Sequence, residues 1–257
     1  MKNLLITCLL CMIAFPSCGW NAPEKPDPKS ILGEARRDAA DGRFRDALAK
    51  HVWFHKHALD IEPSQAGVRV SFALASWVDL GKVYPKALEK LRSIRDATGL
   101  AVLANPEPQL LFSEYKSICK YLGEDNLTVT LFSRLEARDP ALAKKVYSSA
   151  QSVLLRTGHP ELCAKYLTPG ESWPAILKDY QHTTALARDP KLGQKIADYA
   201  RQSFTNKTTI LVALLTTNGR KPEAENIVKS ALEVLGDDAF KKQLESSLAG
   251  TLPAAWP

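Results

Sequence analysis

The sequence predicts an all-α fold, a solenoid of degenerate helix-turn-helix units, and three observations carry that expectation. Apolar residues recur at three- and four-residue spacing through most of the chain, the period of a helix with one buried face. Glycines fall between successive amphipathic patterns, at Gly42, Gly81, Gly123, Gly158 and Gly219, where a tight turn would send the second helix back along the first. Only 13 glycines stand in 257 residues, and alternating apolar/polar runs are few, which argues against an all-β chain. A hydrophobic content of 45% with 24% charged residues suits a soluble globular protein long enough to bury an extended core.

The chain opens with a leader. Met1-Lys2-Asn3 is a short charged lead, and Leu4 to Phe15 is an apolar run too short to span a bilayer, where about 20 residues are needed. Residues 1–18 therefore read as a secretory signal peptide. Its end has two readings. Phe15-Pro16-Ser17-Cys18 resembles a bacterial lipobox with Phe in place of the usual Leu, which makes Cys18 a lipidation candidate; Ser17-x-Gly19 suits simple cleavage. The expected location is outside the cytoplasm, periplasmic or as a membrane-anchored lipoprotein at the cell envelope, with no membrane contact beyond that anchor. Residues 19–29, with Pro23, Pro26 and Pro28, read as a semi-rigid tether, and residues 30–257 as the helical domain.

Ser30 reads as the N-cap of a first helix ending at Gly42. A second, through Ala47, Leu48, Val52, Phe54, Ala58 and Leu59, stops at Pro63. Val70, Ala73, Leu74, Trp77 and Val78 mark a third up to Gly81. Ala87, Leu88, Leu91 and Ile94 mark a fourth, closed by Thr98-Gly99. Past the proline loop at 105–108, helices are expected over 110–122, 126–137, 140–156 and 160–167. Thr168-Pro169-Gly170 is a break, and further helices follow over 172–187, 190–203, 206–217, 221–235 and 238–249. The Leu252-to-Pro257 tail is expected to fold back on the last helices. Cys119 and Cys163, each among apolar neighbours, read as buried free thiols.

Internal similarity supports a repeat. Ala137-Arg-Asp-Pro140-x-Leu142-x-x-Lys145-Val146 is matched by Ala187-Arg-Asp-Pro190-x-Leu192-x-x-Lys195-Ile196: an Asp N-cap, proline at the first helical position, then one apolar face. Gly42-x-Phe44-x-x-Ala47 has the spacing of the turn in a tetratricopeptide-type repeat, and Ala58-Leu59-x-x-x-Pro63 resembles that repeat's end. Gly81 to Ala87 matches with one extra residue, and Gly219-x-x-x-x-Ala224 keeps the glycine-to-alanine distance. The best-formed units span residues 31–99 and degenerate ones 107–249. Trp53-Phe54-x-x-x-Ala58 with Gly67 to Trp77 also resembles exported bacterial helical-repeat proteins, a likeness that carries no activity. The resemblance implies a right-handed solenoid whose first helices line a concave wall, and a protein or peptide partner.

Counting back from the turn glycines places Arg36, Ser71, Ala75, Ser113, Ser117, Lys120 and Ser148 on that wall, with Lys145 as a further cation. Such a small, hydroxyl-rich surface suits an extended peptide. His51 and His55, four apart, share a helix face and are the weak candidates for a metal edge or small-ligand site; His57 points elsewhere. No nucleophile elbow, phosphate-binding glycine loop or His-Glu-x-x-His occurs, so no catalytic residue or cofactor is expected, and the remaining alternative is a hydrolase whose Ser/His/acid site is assembled through space without a sequence mark. The formal charge of +6, or +5 once Lys2 leaves with the leader, is spread over pairs such as Arg36-Arg37 and Lys241-Lys242 in helical patterns. These read as solvated faces rather than a nucleic-acid footprint. The oligomeric state has no sequence signal.

Overall fold

The computed structural model describes residues 19–188 and 193–253, and among them all regular structure is helical. The leader with Cys18, the Asp189-Pro190 helix start and the Trp256 tail lie outside the described residues. The chain divides into two compact units, one ending at Ile94 and the other beginning at Arg95. No described helix is long and apolar enough to cross a membrane.

The first unit contains α1 (Pro28–Ala40), α2 (Phe44–Ile61), a 3-10 turn at Pro63–Gln65, α3 (Ala66–Arg69), α4 (Phe72–Val83) and the start of α5 (Pro85–Ala104). α1 begins earlier than expected. Asp27, not Ser30, is the cap: its carboxylate accepts from the amides of Lys29 and Ser30 at 3.2 and 3.1 Å, with Pro28 preset at the first helical position. Gly42 then takes φ +77°, a left-handed turn that lets α2 return along α1. Between them lies a buried ion network. Lys50 Nζ sits 2.6 Å from Asp38 and 3.0 Å from Glu34, while Arg43 reaches the other Asp38 oxygen at 2.6 Å.

Residue 20 is not free of the fold. The Trp20 amide donates to Asp46 at 3.2 Å, its ring meets Trp53 edge-on at 6.3 Å, and Lys50 Nζ stands 5.6 Å from it.

Two further helix boundaries of this unit differ from the sequence expectation. The third helix is interrupted at Ser71, whose backbone leaves the helical region and whose hydroxyl donates to Gly67 O at 2.6 Å. Gly81 is no turn: α4 runs through it to Val83, and the chain reverses at Tyr84 before Pro85. The glycine is demanded by tertiary packing, because a Cβ there would lie 2.3 Å from Leu88 Cγ on α5. Trp77, the largest buried side chain here, donates from Nε1 to Ala87 O at 2.9 Å and ties the same two helices together.

The second unit contains the rest of α5, then α6 (Gln109–Leu122), α7 (Asp125–Arg138), α8 (Pro140–Arg156), α9 (Pro160–Ala164), α10 (Pro169–Leu186), α11 (Gly193–Thr217), α12 (Lys221–Val234) and α13 (Asp238–Leu248). Gly99 does not end α5. It makes room for the Tyr115 ring, which a Cβ would approach to 2.8 Å. Pro169-Gly170 opens α10 rather than breaking the chain. The two helices expected over 190–203 and 206–217 run as one from Gly193, since Ser203 to Asn206 holds no breaker and Phe204 is core. The expected Asp139 cap forms, accepting from the Ala141 and Leu142 amides. α6 packs on α7 and α8, and α11 on α10, α12 and α13. A run of rings crosses the core, with Phe132 between Phe112 and Tyr166, and Phe204 between Tyr180 and Phe240. Cys119 and Cys163 are free and buried, and burial pushes the Cys163 thiol up to about 11.

Candidate functional site

In the first unit, α1 and α4 leave a groove of about 460 Å³ between them, lined by Arg36 and Ala39 from α1 and by Phe72, Ala75, Ser76, Asp79, Leu80 and Val83 from α4. The α4 positions follow the three- and four-residue period, so one continuous stripe of that helix faces the opening. One feature is unusual for a solvated helix face. Phe72 and Val83 are 68% and 61% exposed, at the two ends of the stripe. Arg36, by contrast, makes no hydrogen bond or ion pair among the described residues, whereas Asp79 opposite is engaged by Lys82 at 2.7 Å. A lone cation between two exposed apolar side chains can hold an anionic group with an apolar neighbour.

Beneath this groove lies His51. Its ring stacks on Trp77 with centroids 5.5 Å apart, its Nε2 is 3.5 Å from Ser76 Oγ, and its buried Nδ1 has no partner. Burial, with the Arg36 charge adding to it, pushes His51 down to about 4. Ser76 and His51 thus resemble half of a nucleophile–base pair, but a ring held that far down is a weak base near neutral pH, and no carboxylate orients its Nδ1. His55 lies edge-on to the same indole at 6.0 Å, and its Nε2 faces the Arg69 guanidinium at 3.4 Å. The two histidines therefore flank Trp77 instead of pointing at a common centre. Among the described residues no group of three or more His, Cys, Asp or Glu side chains could hold a metal ion.

Of the expected wall residues, Arg36 and Ala75 meet in this groove, while Ser71 lies just before Phe72 with its hydroxyl turned onto its own backbone. In the second unit, α6 brings Ser113, Ser117 and Lys120 beside α8, where Ser148 is exposed. Ser117 donates to Ser113 O at 2.9 Å. Lys145 is not a free cation: it pairs with Glu107 and donates to Pro106 O at 3.0 Å. Thr209 and Ala213, which the same count reaches ten and six residues before Gly219, are core residues of α11. Phe72, Ser76, Asp79 and Val83 escaped the count back from Gly81. The signal was present, since they continue the helical period through Ala75.

No family model, curated protein or solved structure matches the chain.

Proposed function

We propose that this is a non-catalytic, exported helical-repeat protein that binds a peptide segment of another protein at the bacterial cell envelope. The observation that carries the reading is the α1/α4 groove, where unpaired Arg36 stands between exposed Phe72 and Val83. Its occupant is a peptide with a carboxylate beside a large apolar residue, the first matched to the guanidinium and the second to the exposed Phe72 or Val83 side chain. Tetratricopeptide-type architecture fits the hairpin α1–α2 and its successor α4–α5, with α6–α7 and α8–α9 as degenerate units of a right-handed solenoid. The leader reading supplies the address, with Cys18 as the lipid attachment point.

A random peptide library selected against the full chain tests this. Enriched peptides should pair Asp or Glu with an aromatic or large aliphatic residue, and Arg36→Glu should weaken them about tenfold or more. Lack of any enriched motif, or equal binding by Arg36→Glu, would refute it.

A further inference from the structure

We infer that the seam between α6 and α8 is a second binding site in this protein, one that takes the side-chain carboxylates of an acidic peptide. It draws on the peptide-binding reading only for the class of partner, and it stands on a different set of residues in the second unit.

Lys116 and Lys120 are one turn apart on α6 and share a face, as Ser149 and Arg156, seven residues apart, do on α8. The two faces meet: the Lys116 ammonium crosses to donate to Ser149 O at 3.1 Å. That carbonyl is its single partner among the described residues, and Lys120 makes no hydrogen bond or ion pair there. Some lysines elsewhere are neutralised, Lys165 by Glu136, Lys207 by Asp179 and Lys50 by Asp38, but what sets this pair apart is that half-buried Lys116 has no carboxylate partner. Arg156 is held in place by Asp125, 2.8 Å from Nη2, and the second Asp125 oxygen is buried without a partner. Lys116, Lys120 and Arg156 thus lie at one seam, with Asp125 engaged by Arg156.

The arrangement is electrostatically unfavourable for Lys116. Burial, reinforced by the charges of Lys120 and Arg156 and opposed by Asp125, holds the Lys116 ammonium below the ordinary lysine value. A half-buried lysine beside two further cations, with Asp125 engaged by Arg156, leaves positive charge in excess at this seam, and that excess marks a site for an anionic group. Three cations match two or three acidic side chains in charge, whereas a nucleic-acid backbone needs a longer row of cations. Exposed Ser148 and half-buried Ser113 and Ser117 keep the surrounding surface low, so a peptide backbone can come close.

The experiment is fluorescence anisotropy of labelled hexaglutamate on the full chain at low salt, with hexaglutamine and a six-nucleotide thymidine oligomer as competing probes. Hexaglutamate should bind. Lys120→Met should weaken it about threefold to fivefold, and the Lys116→Met/Lys120→Met pair at least about tenfold. Lys241→Met on α13 should leave it unchanged. If the pair does not fold, exposed Lys120→Glu serves alone and should abolish binding. Equal binding by a folded seam variant, equal affinity for hexaglutamine, or tighter binding of the thymidine oligomer would overturn the proposal. Because Arg36 takes no part, failure here leaves the α1/α4 groove standing, and failure of the library selection leaves this seam standing.

Discussion

Gly81 on α4 and Leu88 on α5 interlock so closely that a Cβ at position 81 would lie 2.3 Å from Leu88 Cγ. The glycine sits inside a helix, where it is about 1 kcal/mol worse than alanine. Close approach of the two helices outweighs that cost, and the contact holds the α4 stripe that lines the groove. Gly81→Ala should therefore destabilise the protein by about 1–2 kcal/mol, an overpacking penalty partly offset by helix propensity. In a Leu88→Ala background the sign should reverse, and the same change should stabilise by about 1 kcal/mol. Denaturant melts of the four proteins in the cycle decide it, and a Gly81→Ala cost that persists in the Leu88→Ala background would mean the clash lies elsewhere.

His51 sets an acid limit on stability. Its folded pKa, pushed down to about 4 by burial and the nearby Arg36, lies below the ordinary 6.5, so the unfolded chain holds the extra proton between those values. The stabilisation is complete above about pH 6.5 and declines as pH falls toward 4, to a total loss of about 3 kcal/mol. Asp38 adds a separate loss at lower pH. Burial alone would raise it, but hydrogen bonds from Lys50 and Arg43 outweigh burial and lower it, so its contribution fades only as pH falls through that depressed value. His51→Phe, which keeps a ring on Trp77, should flatten the melting temperature between pH 6.5 and 4. An unchanged slope in that window would assign the acid sensitivity to other groups.

Trp20 ties the N-terminal segment to α2 through Asp46, Trp53 and Lys50. Trp20→Ala should cost about 1–2 kcal/mol, the loss of an aromatic pair and a cation–π contact. It should also speed amide exchange in α2 around Lys50. No change in either measurement would mean that the indole packs without contributing.

Breaking the ion network from one side should be more severe. Lys50→Met leaves Asp38 buried with Arg43 alone, and removing one partner of a buried pair costs about 3 kcal/mol or more. Asp38→Asn in the same background should recover part of that loss in a chemical melt. If Lys50→Met melts like the parent, the network contributes nothing net.

Much of the helical order was legible because local chemistry decides it. Gly42, Gly123, Gly158 and Gly219 all take left-handed φ at helix ends, and Asp139-Pro140 caps where an Asp-Pro pair should. Two of the misreadings share one cause. Gly81 and Gly99 resemble turn glycines in a local window, but each answers to a side chain on another helix, Leu88 and Tyr115, which periodicity cannot see. Asp27 displaced Ser30 as the first cap because the proline after it fixes the first helical residue. For the groove, Arg36 and Ala75 were within reach of simple counting. Arg156 joining Lys116 was not, since it depends on how α6 and α8 pack.

The most direct test of the groove reading is site-specific photo-crosslinking from position 75. A photoreactive residue in place of Ala75 in the full chain should give a discrete adduct with an envelope protein, mapped to a segment rich in acidic and aromatic residues, and Arg36→Glu should remove it. The same residue at exposed Lys90 on α5 should not give that adduct. Identical adducts from positions 75 and 90, or an adduct indifferent to Arg36→Glu, would contradict the claim that this groove binds a partner.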